Sequence, residues 1–309
     1  MQQATPTALY MQRKILYLVN PISGTGSKSK LRETIGVLTQ KTGIDFEIAD
    51  TDKEGEYKFL RDKIIRDAIT DVVIAGGDGT INQVVGAIQG MQVRVGIIPT
   101  GSGNGLAYAA GIPVNTIKAL RLIFNGHAKP CDGFMVKNKF GCMLAGLGYD
   151  AQVAADFQWQ QKRGLITYIR LCWKNFWKAP GYTIALQFGG RLIEKEVLFV
   201  SIANSNQFGN RVTIAPKASL NDGLLDIVVV LKKNSFTTAL SLLRQIAAGK
   251  IKPIETLDNE KAGVLYFQTA EMYIDNPQQA PLHVDGEPIS NYTSVLVRVI
   301  PNAFQLIRP

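Results

Sequence analysis

The stretch Val72-Val73-Ile74-Ala75-Gly76-Gly77-Asp78-Gly79-Thr80-Ile81-Asn82-Gln83-Val84-Val85-Gly86-Ala87-Ile88 joins a short β-branched run to an apolar-periodic segment through a turn of small residues. Val72 to Ala75 is too short for a helix and predicts a strand, whereas Ile81, Val84, Val85 and Ile88 recur at the spacing of one helical face. Outward from this unit the same alternation repeats: a strand at Ile15 to Val19, a helix from about Ser27 to Gln40, a strand at Phe46 to Ala49, a helix around Glu56 to Ala68, and a strand at Val95 to Ile98. Strands alternating with helices in this way predict a parallel sheet covered on both faces, hence a three-layer α/β domain.

Beyond about Pro130 the pattern changes to short strands, at Phe140 to Leu144, Thr183 to Phe188, Glu196 to Ala203, Leu225 to Leu231, Val264 to Phe267 and Val295 to Ile300, interrupted by two helices. That predicts an antiparallel β-sandwich domain. Asn125, Gly126 and Pro130 interrupt helical patterning, which places the boundary at 12–127 and 128–309, with the last residues able to pack back on the first domain. A chain of 309 residues, 46% hydrophobic and 19% charged, suits two such domains and excludes disordered and fibrous classes. No run is long and apolar enough to span a bilayer, and Met1 to Gln12 lacks the charged start of a secretory leader. Cys131, Cys142 and Cys172 lack metal-ligand spacing and read as reduced thiols in the cytosol. The net charge of +9 favours anionic partners.

Three strand ends in the first domain open into small-residue loops: Asn20-Pro21-Ile22-Ser23-Gly24, Gly76-Gly77-Asp78-Gly79-Thr80 and Pro99-Thr100-Gly101-Ser102-Gly103-Asn104-Gly105. Loops at the carboxyl ends of such strands line the ligand crevice, and glycines let backbone N–H groups approach phosphate. One such loop alone is equally well a tight turn; three at one edge predict a nucleotide site. Asp78 would repel phosphate unless a cation intervenes or it receives a proton, both of which belong to phosphoryl transfer; its plainer role is a turn cap.

In order and spacing, these loops together with Gly148-Tyr149-Asp150-Ala151, Asn221-Asp222-Gly223-Leu224-Leu225-Asp226 and Val284-Asp285-Gly286-Glu287 resemble the motifs of the diacylglycerol kinase catalytic-domain family, which includes bacterial diacylglycerol kinases, sphingosine kinases and ceramide kinases. The resemblance implies an NAD kinase/phosphofructokinase-like α/β domain, a β-sandwich domain and a nucleotide in the cleft between them. It further implies a kinase that uses ATP and Mg²⁺ on a lipid hydroxyl. Asn20, Pro21, Ile22, Ser23, Gly24, Thr51, Gly76 to Asn82, Gly101, Ser102, Gly103 and Asn104 would then contact ATP. Asp78 would organise phosphates and metal or act as base, and Glu287 matches the proton acceptor of bacterial diacylglycerol kinases. Asp222, with the carbonyls of Ser219 and Leu224, matches a magnesium site. The bacterial enzymes usually carry Glu where Gln83 stands, Asp where Gly105 stands and a second Asp where Asn221 stands; losing the last weakens a hard-cation site. Gly101-Ser102-Gly103-Asn104-Gly105-Leu106-Ala107 is closer to the GSGNxLA loop of sphingosine kinases, which tilts the substrate toward long-chain bases.

Between Asp156 and Glu194 there is no acidic residue, yet Trp159, Trp173, Trp177, Lys174, Lys178, Arg163 and Arg170 all fall there. The predicted helix Leu165 to Lys178 stacks its basic residues on one side and Leu165, Tyr168, Ile169, Cys172 and Phe176 on the other. Its basic face is either solvated or, with Trp173 and Trp177, set against an anionic membrane. Asp150 is a strand-end cap or faces the lipid headgroup. His127 and His283 read as structural, although His283 could line the cleft. No nucleic-acid motif appears, and a homodimer stays open. The expectation is a cytoplasmic, peripherally membrane-associated lipid kinase, against a kinase of a soluble hydroxyl such as NAD, or a non-catalytic binding homologue.

Overall fold

The computed structural model describes residues 12–24, 27–52, 54–158, 179–209, 212–213, 215–232 and 263–309. The first half alternates strands and helices: β1 (Lys14–Val19), α1 (Lys28–Gln40), β2 (Asp45–Asp50), α2 (Lys58–Arg66), β3 (Asp71–Gly76), α3 (Asp78–Ile88), β4 (Arg94–Pro99), α4 (Gly105–Ala109) and α5 (Thr116–Asn125). The strands pair in parallel in the order β2-β1-β3-β4. Alternate residues of each strand serve opposite faces. Leu16, Leu18, Val72, Ile74, Val95 and Ile97 pack with Leu60 and Ile64 of α2 and Ile81, Val84, Val85 and Ile88 of α3. Ile15, Tyr17, Val73, Ala75 and Ile98 pack with Ile35 of α1 and Leu120 and Ile123 of α5. Side chains cap the outer helices, Ser27 accepting from Lys30 N–H and Asn115 from Lys118 N–H.

The second half comprises β5 (His127–Val136), β6 (Lys139–Gly141), β7 (Leu144–Gly148), α6 (Tyr149–Gln158), β8 (Tyr182–Phe188), β9 (Arg191–Ala203), β10 (Gln207–Gly209), β11 (Val212–Thr213), β12 (Leu225–Leu231), β13 (Val264–Thr269), β14 (Glu271–Asp275), β15 (Leu282–Val284), β16 (Glu287–Ile289) and β17 (Ser294–Arg308). Pairing here is antiparallel, around a core of Phe134, Leu147, Ile184, Val200, Ile227, Leu265, Ile274 and Val295. The two halves share one mixed sheet, in the order β16-β15-β7-β9-β8-β14-β17-β4-β3-β1-β2. The join is β17, which pairs antiparallel with β14 and β5 and, at Gln305 and Leu306, parallel with β4.

Three departures from the sequence expectation have local causes. The strand expected to stop at Ile300 continues to Arg308 through a register shift between Ile300 and Phe304, where Asn302 takes φ +53° and donates its N–H to Asp132 Oδ1 at 2.8 Å. β5 runs through Pro130, which is tolerated because β6 covers β5 only at Phe134 to Val136. The single strand expected from Phe140 to Leu144 is two strands, because the N–H groups of Cys142, Met143 and Leu144 all turn to one carboxylate, that of Asp285. The expected helix Leu165 to Lys178 lies outside the described residues.

At the sheet end away from the glycine loops, Asp71 is fully buried. It binds Arg13 Nη2 at 2.8 Å, Arg94 Nη2 at 2.6 Å and the Thr70 hydroxyl at 2.6 Å, so β1, β3 and β4 meet on one charge. Removing one partner of a fully buried ion pair costs about 3–5 kcal/mol, and here, where Arg13 and Arg94 reach solvent, about 1–3 kcal/mol. Asp71→Ala is therefore expected to lower unfolding free energy by about that amount in urea titration, and a loss below ~1 kcal/mol would mean that the cluster carries no net stability.

Candidate active site

The three glycine loops lie together at the carboxyl ends of β1, β3 and β4. Asn20 donates from Nδ2 to Thr80 Oγ1 at 2.7 Å, and its Oδ1 accepts Ile22 N–H at 2.9 Å, which shapes the turn through Pro21. Ser23 and Thr100 join hydroxyls at 2.7 Å, and Thr100 N–H donates to Gly76 O at 3.0 Å. Gly77 and Gly101 approach so closely that a Cβ on Gly77 would lie 3.1 Å from Gly101 Cα. Asn104, left-handed at φ +51°, closes the third loop by exchanging bonds with Gly101, each 2.9 Å. Thr51 is buried beside them, its N–H on Val19 O at 3.1 Å, while Ile22 is 89% exposed at the rim. The expected nucleotide residues Asn20 to Gly24, Gly76 to Thr80 and Gly101 to Asn104 thus come together at one sheet edge, with Thr51 buried behind them, whereas the side chain of Ile81, also expected there, is fully buried in the core because it lies on the apolar face of α3.

Its centre is the start of α3. Gly77 is the N-cap and offers no side-chain bond, so no side chain caps the first-turn N–H groups, which suits an anion. The first residue of that helix is Asp78, whose Oδ1 receives Leu106 N–H at 3.4 Å, while Oδ2 leaves only 2.8 Å for a Cβ at Gly103. Burial raises the Asp78 carboxyl above the ordinary range, against the N–H groups of Gly105, Leu106 and Asn104, which lower it; Asp285 raises it further. Asp78 therefore braces the third loop against α3.

The second half contributes the hairpin between β15 and β16. Asp285, at φ +49°, accepts N–H from Cys142 at 2.8 Å, Met143 at 3.0 Å and Leu144 at 2.8 Å, and Nδ2 of Asn82 at 2.6 Å. Asn82 also donates to Phe140 O at 3.0 Å. One carboxylate thus ties α3 to the second half. Two residues on, Glu287 stands exposed at the rim with no hydrogen-bond partner among the described residues; a Cβ at Gly79 would lie 3.2 Å from its Oε1. Partial burial and then Asp285 raise the Glu287 carboxyl, and Lys139 lowers it.

Other expected site residues fall elsewhere. Asp150 is buried at the start of α6 with His283 Nε2 at 3.2 Å. Asp222 closes a turn by accepting Leu224 N–H at 3.1 Å, and the Ser219 hydroxyl donates to Asn221 Oδ1 at 3.3 Å. This turn offers oxygen donors with one carboxylate, and no group of three or more His, Cys, Asp or Glu side chains suited to a metal occurs among the described residues. Trp173, Lys174, Trp177 and Lys178 lie outside the described residues. Local pattern gives Asp285 no role beyond a turn, since Asp-Gly between two strands marks a hairpin. Asp132, buried on Gly223 N–H and Asn302 N–H, each at 2.8 Å, has no local pattern at all.

A glycine-loop α/β half thus joins a β-sandwich half at a helix N-terminus without a side-chain cap, beside a carboxylate that has no hydrogen-bond partner among the described residues. The diacylglycerol kinase catalytic domain matches residues 14–136, and the YegS C-terminal NAD kinase beta sandwich-like domain matches residues 144–308. The chain belongs to this family of lipid kinases. It is 28% identical over 260 residues to a Shewanella frigidimarina protein named "Probable lipid kinase YegS-like", covering 80% of each chain. It is 24% identical over 281 residues to a diacylglycerol kinase of Staphylococcus carnosus, covering 90% of this chain and 89% of that one. The fold superposes on the crystal structure of a diacylglycerol kinase from Bacillus anthracis with a TM-score of 0.72 at 19% identity, over 96% of this chain and 97% of the other. None of the described helices is long and apolar enough to cross a membrane.

The raised carboxyl of Asp78 fixes the sign of a stability test. Because the folded state holds its proton more tightly than the unfolded chain, the contribution of Asp78 is greatest below its unfolded pKa and falls as pH rises through the raised folded value. Asp78→Asn keeps an acceptor for Leu106 N–H without the charge. Its melting temperature at pH 8 should equal or exceed that of the parent, with the gap closing toward pH 4, whereas Asp78→Ala melts lower throughout. A clear drop for Asp78→Asn at pH 8 would contradict this account.

Proposed function

We propose that this chain is an ATP-dependent lipid kinase that transfers the γ-phosphoryl group to a hydroxyl of diacylglycerol or of a sphingoid long-chain base. The observation that carries the reading is the N-terminus of α3 without a side-chain cap, set among three glycine loops and met at Gly79 by Glu287. Outward N–H groups at a helix start suit the nucleotide phosphates. The lipid oxygen would bond to the γ-phosphorus as the bond to the bridging oxygen breaks, ADP would leave, and the hydroxyl proton would pass to a carboxylate. Glu287 suits that last role better than Asp78, whose oxygens already receive backbone N–H groups.

Mg²⁺ would neutralise the transferring charge when bound. Asp222, with the carbonyls of Ser219 and Leu224, offers a hard-oxygen set with a single carboxylate, one oxygen of which already serves Leu224 N–H; such a set suits a cation that keeps most of its water and orders this turn. The Trp- and Lys-rich segment around Trp173, Lys174, Trp177 and Lys178 would supply contact with anionic lipid, and the enzyme would act as a cytoplasmic, peripherally bound protein.

Transfer of labelled γ-phosphate from ATP to diacylglycerol, sphingosine, dihydrosphingosine, ceramide and NAD, with Mg²⁺ and anionic vesicles, tests the reading. Label is expected on a lipid; label on NAD alone would replace the substrate class, and none on any acceptor would leave a binding protein. Glu287→Gln should lose roughly 10²-fold or more in turnover while still binding ATP. The parent's activity should fall as pH drops through the raised carboxyl, since a protonated Glu287 accepts nothing. Sedimentation with anionic vesicles gives a separate check: Lys174→Glu with Lys178→Glu should leave the protein in the supernatant, and undiminished binding would assign that face to solvent.

A further inference from the structure

His283 and Asp150 form a buried pair, 1% and 4% exposed at their side chains, that the phosphoryl transfer step does not touch. His283 lies opposite Gly146 in the β15–β7 pairing, and its ring crosses above that glycine to reach the first turn of α6. A methyl group at position 146 would overlap both Asp150 Oδ2 and His283 Nε2, so Gly146 provides the space in which the pair meets. On the other side of the ring, Gly286 N–H donates to His283 Nδ1 at 3.2 Å. A backbone N–H can only donate, so Nδ1 carries no proton there. The proton of the neutral ring is then on Nε2, where it donates to Asp150 Oδ2 at 3.2 Å.

The consequence reaches Glu287. The β15–β16 hairpin turns at Asp285 and Gly286, both at positive φ, with Val284 paired to Glu287. The Asp285 carboxylate anchors the first corner of the turn to Cys142, Met143 and Leu144. His283 Nδ1 anchors the second, at the residue directly before Glu287. We propose that the His283–Asp150 pair is a positioning device for Glu287: Asp150 fixes the tautomer of His283, and that tautomer holds the Gly286 peptide from which the proton acceptor projects. The proposal rests on the reading of Glu287 as proton acceptor, and it assigns Asp150 a role through His283 instead of direct contact with lipid.

The first test uses the unaltered protein. Nitrogen chemical shifts of His283 should give Nδ1 as the unprotonated, accepting nitrogen and Nε2 as the protonated one; a proton on Nδ1 overturns the proposal. The second uses amide exchange at Gly286 together with steady-state kinetics. His283→Asn places an Oδ1 acceptor where Nδ1 stood and should keep Gly286 slow to exchange. His283→Gln carries its amide one carbon further, toward Asp150, and should speed that exchange and lower kcat roughly 10-fold or more, with KM for ATP within about twofold. Unchanged Gly286 exchange in His283→Gln overturns the proposal even if turnover falls. Full turnover in Glu287→Gln would instead remove the proton-acceptor reading while leaving the tautomer and exchange results standing, so the two failures are distinguishable.

Discussion

The carboxylate of Asp285 accepts three successive backbone N–H groups from the second half and the Asn82 amide from α3. Each hydrogen bond to an ionised acceptor contributes more than a neutral one, about 1.5–3 kcal/mol, and each buried donor left without it has a comparable desolvation cost. The pattern explains why the chain breaks between β6 and β7, since the N–H groups of Cys142 and Met143 are given to Asp285 and not to a neighbouring strand. It also sets the start of α3 against the hairpin that carries Glu287.

Around that anchor, three carboxylates in one neighbourhood divide by environment. Asp285 is saturated with donors and acts as structure. Asp78 is partly buried and braces the third loop through N–H groups at the start of α4. Glu287 stands at the rim, raised by partial burial and by Asp285, with its oxygens uncommitted among the described residues. Fixed partners thus leave one carboxylate able to change its protonation during a reaction.

Local pattern made the first half readable. Val72 to Ala75 and Ile81 to Ile88 fall inside β3 and α3 because alternating strands and helices have strong periods, and the loops between them are governed by glycine. The second half was readable as antiparallel strands but not in its joins. β5 carries Pro130, and β17 passes Pro301 and Asn302 through a register shift, features that depend on which strand lies alongside. The same limit applied to the site. The glycine loops announce themselves, whereas Asp285 and Asp132 gain their meaning from N–H groups far away in sequence, and His283 from a glycine on the facing strand.

The path of β17 also bears on how the protein is made. The edge of β4 opposite β3 is covered by Gln305 and Leu306, about two hundred residues later in the chain. At ribosomal speeds of 5–20 residues per second, an α/β half folding as it emerges would hold that edge open for roughly 10–40 s. An exposed strand edge is a template for wrong pairing, and closing so long a loop is slow. Arg94, the charged residue of β4, sits where Gln305 later pairs, so that edge carries a charge at one end while it waits, the feature that disfavours pairing with another strand.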